Sequence, residues 1–338
     1  METEKFKLKI TFLCVLLVVL VSVPYFGIPE YALSVFIAVF IYCSLCVSWN
    51  VVGGYTGYLS FGHAAFFGFG AYVSALLYTH TGMPPYGAIL LAGIFSSILA
   101  TGIGYPCLKV KGPYFAVVTF ATVPMLKIMF ENLEFTGGVQ GIFIKSSFNT
   151  PTIYLMTLCL MVLSALMAVL IEKSAIGIGF TSIREDEDAA ETIGINTSKI
   201  KTLAFALSAF FPGMVGGVFS FYKLYINPST VFSEEMSILI VLFSLFGGTM
   251  RWIGPIIGAS ILVTIDRVLH IYSGIIIDWL EYLPYFKKVF PYFSSGILAS
   301  VLFGLILILV IIFMPKGILG WLEKIELERL KKRTSGRD

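Results

Sequence analysis

The chain has 338 residues, 57% of them hydrophobic and only 13% charged, with a formal net charge of +3. That balance excludes an ordinary soluble domain, where about a quarter of residues carry charge, and the near-neutral net charge says nothing in favour of nucleic acid. It points to a single all-α polytopic bundle over residues 1–338, with no soluble catalytic domain left over.

Apolar runs of about 20 residues recur, each long enough to cross the hydrocarbon core as a helix that satisfies its own backbone. In chain order the ten predicted spans are 8–28, 31–51, 60–80, 86–107, 114–130, 151–171, 203–223, 236–250, 253–271 and 296–314. An even number puts both termini on one side. Of the 23 Lys and Arg, only Lys145, Lys223, Lys287 and Lys288 fall in the outer loops, and Lys127 and Arg267 fall inside spans. All the others mark one side, so both termini, the loop 172–202 and the tail 315–338 are expected in the cytoplasm. The first run is too long for a signal-peptide core and has no small-residue cleavage site after it. Cys14, Cys43, Cys46, Cys107 and Cys159 all lie in spans, where packing suits them better than a metal or a disulfide framework.

Three glycine clusters punctuate the runs. Gly53-Gly54-Tyr55-Thr56-Gly57 breaks the chain before the third span, Thr136-Gly137-Gly138-Val139-Gln140-Gly141 lies in an outer loop, and Gly247-Gly248-Thr249 follows the eighth span. Interrupted segments in both halves point to a transport pathway, although plain turns need glycine as well. On the pathway reading the gate candidates are Gly53, Gly54, Gly57, Gly137, Gly138, Gly247 and Gly248, joined by Ser60, His63 and Thr119. Glycine there would supply positive φ or a narrow passage. Ala64, Gly68, Ala71 and Ala75 fall at i, i+4, i+7 and i+11, as do Ala209, Gly213, Gly216 and Ser220. Such stripes let membrane helices approach closely. Pro212 is expected to kink the second of them.

The segment Thr181–Lys201, TSIREDEDAAETIGINTSKIK, is the one long charged interruption. Ser182 and Glu185 have the spacing of a capping box, which predicts a helix of about three turns from Ile183. Gly194 supplies a left-handed C-terminal cap, and Asn196, Thr197 and Ser198 can cap the next span. Ala189 and Ala190 would offer a flat face. The run suits a solvated loop or a stiff knob against which another protein pushes.

Groups for chemistry are sparse. No H-E-x-x-H, G-x-S-x-G or G-x-x-x-x-G-K-[ST] occurs, so the chain has no P-loop of its own. A membrane enzyme would need clustered nucleophiles, bases or metal ligands. A self-sufficient secondary carrier would need carboxylates in mid-membrane, and only Asp266, beside Arg267, lies within a span.

Several blocks in order resemble the permease subunits of branched-chain amino-acid ABC importers, specifically the longer of the two homologous permeases. They are 57–72 (GYLSFGHAAFFGFGAY), 112–121 (GPYFAVVTFA), 136–142 (TGGVQGI), the charged loop followed by K-x-x-A-F-x-x-S-A-F-x-x-G-x-x-G from Lys201, 246–259 (FGGTMRWIGPIIGA) and 314–320 (MPKGILG). Pro212 departs from the family, which has a small residue there. The resemblance implies a prokaryotic cell-membrane permease that carries leucine, isoleucine and valine, with urea, short amides or other small organic solutes as the variants found in relatives. It implies a second homologous permease, two cytoplasmic ATPases holding ATP and Mg, and an extracytoplasmic solute-binding protein; no cofactor is expected in this chain. It also implies that Arg184, Glu185, Asp186, Glu187, Asp188, Ala189, Ala190, Glu191 and Gly194 form the coupling helix that docks on the ATPase.

Overall fold

The computed structural model describes residue 11 and residues 14–108, 112–145, 148–281, 294–313 and 317–320. The start of the first predicted span, Lys109, Lys111, Lys287, Lys288 and most of the tail 315–338 lie outside the described residues.

Helix follows helix because each apolar run closes its own hydrogen bonds. The order is α1 (Cys14–Phe26), α2 (Glu30–Asn50), α3 (His63–Thr81), α4 (Pro85–Cys107), α5 (Pro113–Asn132), β1 (Ile142–Phe143), α6 (Thr150–Glu172), α7 (Ala175–Glu185), α8 (Glu187–Thr192), α9 (Thr197–Lys223), β2 (Tyr225–Ile226), the single turn α10 (Pro228–Val231), α11 (Glu234–Gly247), α12 (Ile253–Glu281) and α13 (Ser295–Phe313). Among the described residues, 7 helices are long and apolar enough to cross a membrane, with shorter apolar helices at Cys14–Phe26 and Gly296–Leu309.

Helix α9 is the axis of the bundle. It lies along α3 and α4 and also touches α2 and α6. The two small-residue stripes meet each other: a Cβ on Gly216 would overlap the Phe67 carbonyl and the Ala71 amide. Backbones that approach this closely gain dispersion contact without any hydrophobic drive. Helix α9 runs unbroken through Pro212.

The first glycine cluster behaves differently from the expected break. Gly53 and Gly54 continue α2 as a π-helical turn, Val51–Thr56, and the chain turns only at Gly57, at φ 76°. The widened turn seats Gly53 over the Trp49 ring and Gly54 beside the Asn50 side chain. π-turns of this kind often mark functional sites.

The ends of the bundle separate the remaining elements. One end carries the π-turn, the 57–62 loop, α7, α8 and the 248–252 turn. The opposite end carries the two-stranded antiparallel ladder, in which Ile142 faces Ile226 and Phe143 faces Tyr225.

Candidate functional site: the charged loop and its seat

The predicted single helix of the charged loop is two helices. Helix α7 begins at Ala175, where the Ser174 side chain accepts from the Gly177 amide at 3.2 Å. Apolar residues extend it backward, with Phe180 and Ile183 buried. Ser182 is therefore interior, and its hydroxyl donates to the Ile178 carbonyl at 2.9 Å, as a mid-helix serine can. The break falls at Asp186, whose extended backbone (φ −160°, ψ 111°) ends α7. Its carboxylate accepts from the Ala189 amide at 3.0 Å and so caps α8. An aspartate caps at least as well as a serine, so the acidic run chose its own start. Gly194 does close α8 with φ 90°, and the Ile195 amide reaches back to the Ala190 carbonyl at 3.1 Å. Asn196 then caps α9 through the Lys199 amide at 3.0 Å.

The charges of this loop face two ways. Arg184 donates to the Gly54 carbonyl, and Gly57 sits directly beneath the Arg184 side chain. Glu187 accepts from Lys201 at 2.6 Å and from the Tyr58 hydroxyl. Lys201 is 5% exposed and completes its ammonium shell with the Leu108 carbonyl at 3.0 Å and the Tyr58 oxygen at 3.2 Å. Three donors thus find three acceptors, which is what a buried ammonium requires. Burial, and then the hydrogen bond to Glu187, push the Tyr58 phenol well above its ordinary pKa. Glu191 accepts from the Thr197 hydroxyl. Facing outward are Glu185, Asp186, Asp188, Ala189 and Glu191, together with Ile193, 75% exposed one turn beyond Ala189. Ala190, expected on the docking face, is 3% exposed and faces inward.

The other predicted residues fall into two groups. Gly54 lies against the Thr249 carbonyl, and Gly248, at φ 103°, lies against Leu319. The π-turn, the Gly247–Thr249 turn and residues 317–320 therefore meet at the loop end. Gly54 is glycine for space, because its φ is not positive; Gly248 is glycine for both reasons. Ser60 and Thr119 organise the loop between the π-turn and α3. Trp49 donates to the Ser60 carbonyl at 2.7 Å, and the Phe61 amide donates to the Thr119 hydroxyl at 3.1 Å. His63 is buried edge-on to Phe66 and Phe205, with both ring nitrogens unpartnered among the described residues. Gly137 and Gly138 lie at the opposite end, close to Gly141 and the Glu131 carbonyl. Among the described residues no group of His, Cys, Asp or Glu could hold a metal.

A family model described as branched-chain amino acid transport system / permease component matches residues 31–311, which include the π-turn, both loop helices and the long axis helix. The chain belongs to this family. As a permease it is similar to the high-affinity branched-chain amino acid transport system permease protein LivM of Salmonella typhimurium, 27% identical over 91% of this chain and 74% of the relative. It is also similar to LivM of Escherichia coli, at 26% over the same shares. The autoinducer 2 import system permease protein LsrC of Yersinia enterocolitica is 30% identical over 64% of this chain and 59% of its own. No solved structure matches. The chain is a multi-pass membrane protein of the ABC permease class.

Sequence reasoning missed two members of the permease's charged seat, Lys201 and Tyr58. In the sequence Lys201 reads as loop charge and as the first residue of a family block, not as a buried ion-pair partner. The signal was present, since Thr197, Lys201, Ala204 and Ser208 fall on one helical stripe that the structure buries. Ile193 was also overlooked, because an isolated apolar residue in a charged run carries no pattern.

Proposed function

We propose that this permease forms, with a second homologous permease, the membrane part of an importer for leucine, isoleucine and valine. Two cytoplasmic ATPases holding ATP and Mg would drive it, and an extracytoplasmic binding protein would deliver the solute. Ten spans with both termini in the cytoplasm fit the lysine and arginine asymmetry. The substrate assignment draws on the relatives that span most of the chain; the LsrC relative keeps a different small solute as the alternative.

The observation that carries the coupling role is the two-faced loop. Its inward charges tie α7 and α8 to the π-turn, the 57–62 loop and the base of α9. Its outward face, Ala189 and Ile193 flanked by Glu185 and Asp188, is left for a partner. Motion imposed on that face would reach the Gly54–Thr249 contact through Arg184 and reach α9 through Lys201. Gly53, Gly54, Gly57, Gly247 and Gly248 then form the inner gate, with Ser60, Thr119 and His63 behind it and Gly137–Gly138 at the outer mouth. The test is reconstitution with the partner subunits and binding protein in liposomes. ATP-dependent leucine uptake is expected, and none from this chain alone. Concentrative uptake by this chain alone would overturn the ATP-driven reading, and an active complex holding two copies of it would overturn the heterodimer.

A further inference from the structure

Between β2 and α11 the chain does not stay at the outer surface. It dips into the bundle through the single turn α10, breaks at Phe232 and restarts as α11 from the Ser233 cap. Phe232 is buried. Its ring takes the space of a side chain on Gly68 and stacks on Tyr72 at 6.0 Å, and Tyr72 is the middle residue of α3. Helix α11 has 14 residues, about 21 Å of rise, against about 30 Å of hydrocarbon. It therefore begins inside the membrane.

Cys46 of α2 fixes how far inside. Its thiol donates to the Ile240 carbonyl at 3.5 Å, and its own carbonyl accepts from the Ser244 hydroxyl at 3.4 Å. Glu234 and Glu235, the first residues of α11, then stand about 12 Å below Glu30, where α2 begins. Helix α2 with its π-turn covers 27 residues, about 40 Å, so both carboxylates lie within the outer half of the hydrocarbon layer. Both are exposed, and neither forms an ion pair or a hydrogen bond among the described residues. A glutamate is too short to reach the interface from there, and a bare carboxylate does not face lipid. Two hydroxyls at the same break, of Tyr72 (0% exposed) and of Ser237 (1% exposed), are also without a partner among the described residues. Buried hydroxyls of this kind call for water or a polar solute.

We propose that the break between α10 and α11 lines the water-filled outer part of the translocation path, and that Glu234 and Glu235 set its charge preference. A broken membrane helix is where such paths gather their polar groups. Carboxylates in a low-dielectric mouth concentrate cations and repel anions. The path then takes solutes that carry an ammonium group, zwitterions included, ahead of anions. The inference rests on the reading of the bundle as a path for solute, and its test reads accessibility, not uptake.

The test places Glu234→Cys or Glu235→Cys in the full chain, assembled with its partner subunits in right-side-out vesicles. Cationic and anionic methanethiosulfonates are added from outside, and the unsubstituted chain, with its own 5 cysteines, sets the background. Both positions should react, the cationic reagent faster, and Leu166→Cys, exposed on the apolar face of α6, should not. Glu235→Gln added to Glu234→Cys should cut the cation-over-anion rate ratio about fivefold, whereas Glu235→Asp should keep it. Unreactive cysteines at both positions put the break against lipid or protein and overturn the path assignment, as does equal reaction at Leu166→Cys. A ratio unmoved by Glu235→Gln overturns the charge preference. Should Glu234→Cys fail to assemble, Glu235→Cys with Glu234→Gln reads the same two quantities. Unreactive cysteines with normal uptake leave the importer reading standing, and reactive cysteines in a complex without ATP-dependent uptake do the reverse.

Discussion

At the loop end of the bundle an arginine, a lysine and a glutamate are sunk among carbonyls and a phenol. At the opposite end the connections are neutral: the Ile144 amide donates to the Leu224 carbonyl at 2.8 Å, Tyr78 donates to the Lys145 carbonyl at 2.7 Å, and Tyr225 donates to the Gln140 carbonyl at 2.8 Å. Neutral hydrogen bonds contribute about 1 kcal/mol each and fail one at a time. A buried ion pair holds only while both partners are present, since the survivor is an unpaired charge in a low dielectric. The loop end is thus built to hold or release as a unit, and the outer end to yield gradually.

The sharpest way to break this contrast is Lys201→Met. It strands Glu187 against Tyr58 and should cost about 3–5 kcal/mol of stability, read as a fall in the thermal unfolding midpoint of the purified protein. Lys201→Met with Glu187→Met should recover most of the stability, because replacing both partners with apolar groups is often neutral. If the pair transmits motion, leucine uptake should stay low in the double variant. Full uptake with restored stability would reduce the pair to scaffolding.

Neighbouring alanines give the next test. Ala190→Arg buries a charge inside the loop and should lower stability strongly, by several kcal/mol. Ala189→Arg points outward and should change stability by no more than about 0.5 kcal/mol. It should nevertheless abolish ATPase co-purification and uptake. An Ala189→Arg complex that assembles and transports normally removes this face from the coupling role.

Gly54→Val should force the π-turn off the Thr249 carbonyl and the Asn50 side chain, at about 1–3 kcal/mol. Uptake at matched expression should fall with it, and wild-type uptake would make this junction an ordinary turn. The smallest effect belongs to the outer end. Leu224 ends α9 at φ 59°, a left-handed conformation that strains a side chain by about 1 kcal/mol or more. Leu224→Gly should raise the unfolding midpoint slightly and leave uptake unchanged.

Local signals in the chain located much of this permease. The apolar runs gave the long helices because in lipid a backbone must satisfy itself, and Gly194 and Asn196 marked a helix end and a helix start by chemistry confined to a few residues. The small-residue stripes marked faces of α3 and α9 for close helix contact, and the fold decided that these two faces meet each other. Where neighbouring signals competed, local reading went astray: Ser182 and Asp186 could both cap, and the apolar face of residues 175–183 decided for Asp186.

What the sequence by itself determined is the class, a bundle of long apolar helices and the family, each of which rests on periodicity or on ordered blocks along one dimension. Only the tertiary structure decided that Lys201 is a core residue, that Ala190 faces inward and that Gly54, Arg184 and Thr249 share one junction. Arg184 and Gly54 stand 130 residues apart in the chain. Their contact depends on where α7 comes to rest against the π-turn, and no local propensity encodes that distance.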